Sequence, residues 1–175
     1  MDTFITENTT TNKIIFLDMD GVVSDFDGYA LRELGIETKP GFRFSQDDWY
    51  RLRDHNERIY RDIPLLEGAE EFVKEVEWLA GQNNRDIRFL TAVPRENDLG
   101  WSFWDKVCWV QTNFPGLPVF FGPYSDDKQQ HYKPGHILID DRSKNIELWP
   151  KHGILHQGNY QVTLNTLEQY IKETT

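Results

Sequence analysis

Ile14-Ile15-Phe16-Leu17-Asp18-Met19-Asp20-Gly21-Val22-Val23 sets the reading of this chain. Four consecutive apolar residues suit a strand buried on both faces. The run stops at two carboxylates with one residue between them, Asp18 and Asp20. Burying a carboxylate is costly unless something pairs with it, and a bound cation is an effective partner. Gly21 lets the backbone turn tightly straight afterwards. In an open α/β sheet, ligands bind outside the carboxyl ends of the strands, where this pair would lie. Taken alone, an Asp-x-Asp-Gly segment reads better as a solvated turn. Later features of the chain tip the balance.

The same pattern returns in His136-Ile137-Leu138-Ile139-Asp140-Asp141-Arg142, a second apolar run that ends in two carboxylates. Either aspartate could cap a following turn, but turn capping does not explain two strands that end alike. Side by side, such ends form an oxygen-rich, net-negative cleft of the kind Mg²⁺ takes, with substrate phosphate and water completing its shell. Between them lies Phe89-Leu90-Thr91-Ala92-Val93-Pro94, whose Thr91 hydroxyl could donate to a phosphoryl oxygen from a strand end or simply cap a turn.

Together these motifs resemble those of the haloacid dehalogenase superfamily of aspartate-nucleophile phosphatases. With Ser24-Asp25-Phe26 following the first motif, the chain is most similar to the 5'(3')-deoxyribonucleotidases. The resemblance runs over roughly residues 13–150 and includes Ile63-Pro64-Leu65-Leu66-Glu67-Gly68-Ala69. It implies a Rossmann-like α/β core with a small helical cap. It also implies a nucleophile, Asp18, and an acid/base, Asp20, with phosphate held by Thr91, the backbone of Ala92 and a lysine. Mg²⁺ would be bound by Asp18, the carbonyl of Asp20 and Asp141. Relatives carry Thr-Ser where this chain has Thr91-Ala92, so one hydroxyl is missing. Asp127-Lys128 resembles the family's Asp-Lys pair, which favours Lys128 as the phosphate lysine. Lys133, before Pro134-Gly135, reads as a solvated loop residue, and Lys106 lies in a segment resembling a family helix that also reaches the phosphate side. Phe26 resembles the family aromatic that stacks on the nucleobase, Gly41-Phe42 the start of its cap aromatics, and Arg95 a basic residue after the Thr motif. Most of the aromatics Phe26, Phe42, Phe44 and Trp49 could equally serve only to pack the cap on the core.

The rest of the chain reads as follows. Residues 1–12 form a polar, Thr-rich tail, and 25–35 a helix ended by Gly35. Residues 36–63 hold aromatics and a charged helical run from Ser45 towards Tyr60, read as a cap inserted into a core of residues 13–35 and 64–175. Helices are expected at Ala69–Leu79, 101–113 and Leu164–Ile171, with further strands at Ile87–Thr91, Val119–Phe121, Ile137–Asp140 and Gly153–His156. Strands alternating with helices give a parallel sheet.

Composition narrows the function classes. At 175 residues, with 38% hydrophobic and 14% aromatic content, the chain fits one globular domain. A formal charge of −10 argues against a nucleic-acid polymer as partner, while leaving room for a small nucleotide met by a local cationic cluster. The single cysteine, Cys108, cannot form an internal disulfide and reads as a small helix-packing residue. No apolar run approaches about 20 residues and no leader is evident, so a cytoplasmic, membrane-free protein is expected; a homodimer is left open. The five histidines have no metal-ligand spacing. The expected reaction is hydrolysis of (deoxy)nucleoside monophosphates. Its rivals are the same chemistry on a sugar phosphate, and a binding module that kept the fold without the activity.

Overall fold

The computed structural model describes residues 12–39, 44–94 and 99–174. Five strands form one sheet: β1 (Ile14–Leu17), β2 (Asp86–Thr91), β3 (Val119–Phe121), β4 (Ile137–Asp140) and β5 (Gly153–Leu155). All neighbours are parallel and their order is β3-β2-β1-β4-β5. The chain therefore leaves β1 towards one edge through β2 and β3, then returns to the other side of β1 with β4. That reversal opens a crevice at the carboxyl ends of β1 and β4, the usual ligand position in such sheets.

The continuous apolar runs are explained by burial on both faces. Ile15, Leu17, Phe89, Ile137 and Ile139 point into the larger core, where they meet Phe72, Val73 and Val76 of α4 (Ala69–Gln82), Trp109 and Val110 of α5 (Ser102–Asn113), and Leu167 and Ile171 of α7 (Tyr160–Glu173). The alternate residues Ile14, Phe16, Leu90 and Leu138 face the other way and pack with Trp149, which follows the short helix α6 (Ser143–Leu148). This is the two-fold alternation of strand side chains with an apolar layer on each side.

A third apolar cluster lies apart from the sheet. Phe26 and Ala30 of α1 (Phe26–Leu34) join Leu52 of α2 (Gln46–His55), Ile59 and Tyr60 of α3 (Ile59–Asp62), Ile36, Ile63 and Leu99. Helix α1 starts at an Asp25 cap, which accepts from the Gly28 amide, and ends at Gly35 with φ +65°. Helix α2 opens on a reciprocal Ser45–Asp48 capping box. The expected helical run from Ser45 to Tyr60 is broken at Asn56, whose extended backbone ends α2.

Other bounds differ at the ends. Helix α4 runs on to Gln82, and α7 starts at Tyr160 because Asn159 accepts from the Val162 amide as its cap. Two short elements were not foreseen: α6 and a 3₁₀ helix over Ser125–His131. The Thr-rich stretch up to residue 11, Pro40-Gly41, Phe42 and Arg95 lie outside the described residues. Among the described residues, no helix is long and apolar enough to cross a membrane.

Ile139 is fully buried at the centre of the sheet, two residues before the site described next. Ile139→Ala is expected to destabilise the fold by about 2–5 kcal/mol through lost contacts and the cavity left behind. Urea unfolding should show a lower midpoint with an unchanged slope.

Candidate active site

The loop after β1 is built to bring Asp18 and Asp20 to one place. The Asp18 amide donates to Ile139 O at 2.9 Å, which extends the β1–β4 ladder and fixes where the first carboxylate emerges. Met19 O then accepts from the amides of Val22, Val23 and Ser24, closing a tight turn. Gly21 sits in that turn at φ +76°, and a Cβ there would lie 2.6 Å from the Asp141 carboxyl carbon. Both facts demand glycine. Tyr160 fastens the loop from behind, its hydroxyl donating to Val22 O at 2.7 Å.

Asp18 is buried, and its Oδ1 is held by the Met19 amide and by Lys128 Nζ, each at 2.8 Å. Among the described residues, nothing donates to its other oxygen. The 3₁₀ helix delivers Lys128, whose Nζ also reaches Asp140 Oδ2 at 2.7 Å. Asp140, fully buried, further accepts from the Arg142 amide and from Asn145 Nδ2 on both oxygens, each at 2.9 Å. Its acceptors are thus occupied by protein donors, which makes it an anchor for Lys128. Asp141, next to it, points towards Gly21 and Asp18 and is solvent-exposed as a residue. Ligand oxygens of Asp18, Asp140 and Asp141 lie within 4.8 Å of one another; with Asp140 taken up by protein donors, Asp18 and Asp141 are the two that could take a metal ion.

Asp20 is clamped on both oxygens. Ser24 Oγ donates to Oδ1 at 2.8 Å, and Lys106 Nζ bonds to Oδ2. Lys106 also donates to Thr91 Oγ1 at 3.0 Å and lies 4.3 Å from the centre of the Tyr60 ring. Lys106 and Thr91 are both fully buried.

The electrostatics follow from this crowding. Loss of water raises the Asp18 carboxyl to about 6; Lys128 opposes the shift, while Asp140 and Asp20 add to it. Loss of water around its carboxyl, then the charges of Asp18 and Asp140, raise Asp141 to about 8. The Asp141 residue is open to solvent, and the crowding of like charges around it is what a bound cation relieves. Burial pulls Lys128 down, but Asp140 and Asp18 more than offset it and hold the ammonium charged.

The sequence reading sought one lysine. The structure brings two to the strand ends, Lys128 on Asp18 and Lys106 on Asp20. Lys133 is exposed. Ala92 lies beside Thr91 and half-buried. Phe26 is buried in the cap cluster, stacked on Tyr60 at 5.5 Å and 21° and edge-on to Phe44 at 5.4 Å. Ser24 and Asn145 were not singled out from the sequence. Each orients an aspartate, and only their positions near the two motifs hint at it.

A family model described as "5' nucleotidase, deoxy (Pyrimidine), cytosolic type C protein" matches residues 12–170. The chain belongs to that family. It is therefore a nucleotidase-family protein of the haloacid dehalogenase type, as its motifs led us to expect. No curated protein sequence matches the chain. Among solved structures it is similar to the HAD domain of effector protein Lem4 from Legionella pneumophila, at 12% identity over 94% of this chain and 97% of that chain, with a TM-score of 0.46.

The raised carboxyls make a pH prediction. In the metal-free fold, Asp18 and Asp141 keep protons that the unfolded chain, near its ordinary 3.8, has already lost. The folded state thus binds more protons, and these groups lower stability as pH rises from about 4 to about 8. A cation on the deprotonated cluster reverses this, so MgCl₂ should raise the melting temperature more at about pH 8 than at about pH 5. Asp141→Asn should remove most of the difference. Equal shifts at both pH values would count against the cluster as a cation site.

Proposed function

We propose that this chain is a Mg²⁺-dependent phosphomonoesterase acting on (deoxy)nucleoside monophosphates through an aspartyl-phosphate. The observation that carries the reading is Asp18: a buried carboxylate with one oxygen pinned by Lys128 and the Met19 amide and the other without a donor among the described residues. A carboxylate held in this way is oriented to attack and already sits beside the cation a phosphate needs.

In the proposed reaction, the free Asp18 oxygen attacks phosphorus while the bond from phosphorus to the ester oxygen breaks. The Asp20 carboxyl gives its proton to that leaving oxygen, and nucleoside departs. Water then attacks the aspartyl-phosphate, Asp20 takes the water proton, and the bond from Asp18 to phosphorus breaks to release phosphate. Each Asp20 oxygen keeps a second lone pair beyond its contact with Ser24 or Lys106, so the clamp orients the group without blocking proton transfer. Thr91, the Ala92 amide, Lys128 and Lys106 would hold the equatorial oxygens. Bound by Asp18, the carbonyl of Asp20 and Asp141, Mg²⁺ would neutralise charge between an anionic nucleophile and an anionic phosphate. The Asp18 and Asp141 carboxylates suit it, being hard oxygen donors whose mutual repulsion a cation relieves.

The nucleotide substrate rests on family membership and on the aromatic cap. Phe26, Phe44, Trp49 and Tyr60 pack on one another in the cap, Tyr60 against the Lys106 that holds Asp20, and Phe26 is the aromatic we propose for contact with the base. Phe42 and Arg95 are proposed as neighbours of the substrate on sequence alone.

The reading is tested by phosphate release from deoxy- and ribonucleoside 5'- and 3'-monophosphates and from sugar phosphates, with Mg²⁺ or EDTA. Wild type should release phosphate from deoxynucleotides only with metal. Asp18→Asn should lower turnover by on the order of 10⁴–10⁶, and Lys128→Met by about 10²–10³. Release from sugar phosphates alone would sink the nucleotide assignment and keep the mechanism. No release from any ester would favour a binding module.

A further inference from the structure

Helix α5 turns one face towards the cap, and its residues there are buried: Ser102, Asp105, Lys106 and Trp109. Three of them each grip one residue of the segment 58–63 that leads out of the cap. The Asp105 carboxylate accepts from Arg58 Nε at 2.8 Å and from a terminal guanidinium nitrogen at 2.5 Å. Lys106 Nζ lies over the Tyr60 ring, and Trp109 Nε1 donates to Ile63 O at 2.6 Å. The Arg58 guanidinium is also stacked over Trp101 at 4.4 Å. The segment and the helix are thus pinned at three successive points.

The middle point is the one with chemistry attached. Lys106 shares its helical turn with Asp105 and is the residue whose Nζ holds Asp20 and Thr91. Asp105 is 1% exposed, so the forked ion pair is its means of staying charged in the interior. Exchanging such a buried pair for apolar residues is often neutral or stabilising, so net stability does not by itself account for it. What a forked pair supplies is position: two parallel bonds fix both the distance and the rotation of the helix turn that carries Lys106. Removing one partner leaves an uncompensated buried charge, which the turn must move to hydrate.

We propose that Arg58 and Asp105 are positioning residues for the acid/base group, acting through Lys106 on Asp20. The cap thereby sets the geometry of proton transfer at the strand ends without touching the reacting atoms. The inference rests on the reading of Asp20 as the proton donor, and its test is chosen to separate the two.

The test compares two esters by kcat/KM, which reports on the steps up to aspartyl-phosphate formation. A nucleoside 5'-monophosphate has a poor leaving oxygen that needs a proton. 4-Nitrophenyl phosphate has a leaving group that departs without one. Asp105→Asn and Arg58→Met should lower kcat/KM on the nucleotide by about 10²-fold, the usual worth of a positioned acid. On 4-nitrophenyl phosphate the same variants should lose less than about 10-fold, since only general packing is disturbed. Arg58→Lys keeps the charge but not the fork and should fall between. The ratio of the two esters does not depend on the fraction of folded protein, so a poorly folding variant still gives an answer. Equal losses on both esters would overturn the positioning role. A wild type whose nucleotide activity survives Asp20→Asn would instead overturn the reading of Asp20.

Discussion

The constraint on which the rest depends is the burial of Lys128 between Asp18 and Asp140. A parallel sheet with β1 beside β4 forces two acidic strand ends together, and neither can remain ionised there alone. Lys128 is the answer, and much of the local structure exists to place it. The 3₁₀ helix carries it in, and Asn145 and the Arg142 amide hold Asp140 so that its second oxygen faces the ammonium. Met19 and the Gly21 turn then leave Asp18 with one oxygen fixed and one open. A stability device and a reactive geometry are here the same set of contacts.

A second cation repeats this logic on the cap side. Lys106 is fully buried, yet it approaches from a helix rather than from a loop, and its surroundings include an aromatic face as well as Asp20 and Thr91. Its position is therefore determined by how α5 packs against α3. The forked Arg58–Asp105 pair and the Trp109 indole bond to Ile63 fix that packing from either end. The site is consequently shared: β1 and β4 define Asp18, whereas the cap contributes to the placement of Asp20.

These two halves were not equally legible in the sequence. Strands buried on both faces write themselves as apolar runs, so β1 and β4 with the carboxylates that end them, and β2 with its terminal Thr91, were visible, and with them the order of the motifs. Lys128 stood out only through its Asp127 neighbour. Lys106 was ranked behind it because it lacked that neighbour, and its depth here depends on Tyr60, 46 residues away. Arg58 and Asp105 are separated by 47 residues, and no local pattern marks either. The short α6 and the 3₁₀ helix were missed because they carry too few residues to show a period. What the sequence hid was tertiary: the pairing of charges across elements.

On the proposed function, the balance of charge at the strand ends gives a reason for a metal and a phosphate to bind there as a unit. Asp18, Asp20, Asp140 and Asp141 face two lysines, so the fully ionised set is left with excess negative charge, which is felt most at Asp141. A phosphate monoester dianion would be repelled by that excess, however well Thr91 and the lysines were aimed. A divalent cation removes the repulsion, and the dianion then completes its oxygen shell. Neutral ligands gain nothing from this arrangement, and a nucleoside without its phosphate would meet only the aromatic cap. On the same proposal, selectivity for the phosphorylated form would follow from the charge crowding at Asp141 that also makes stability sensitive to pH.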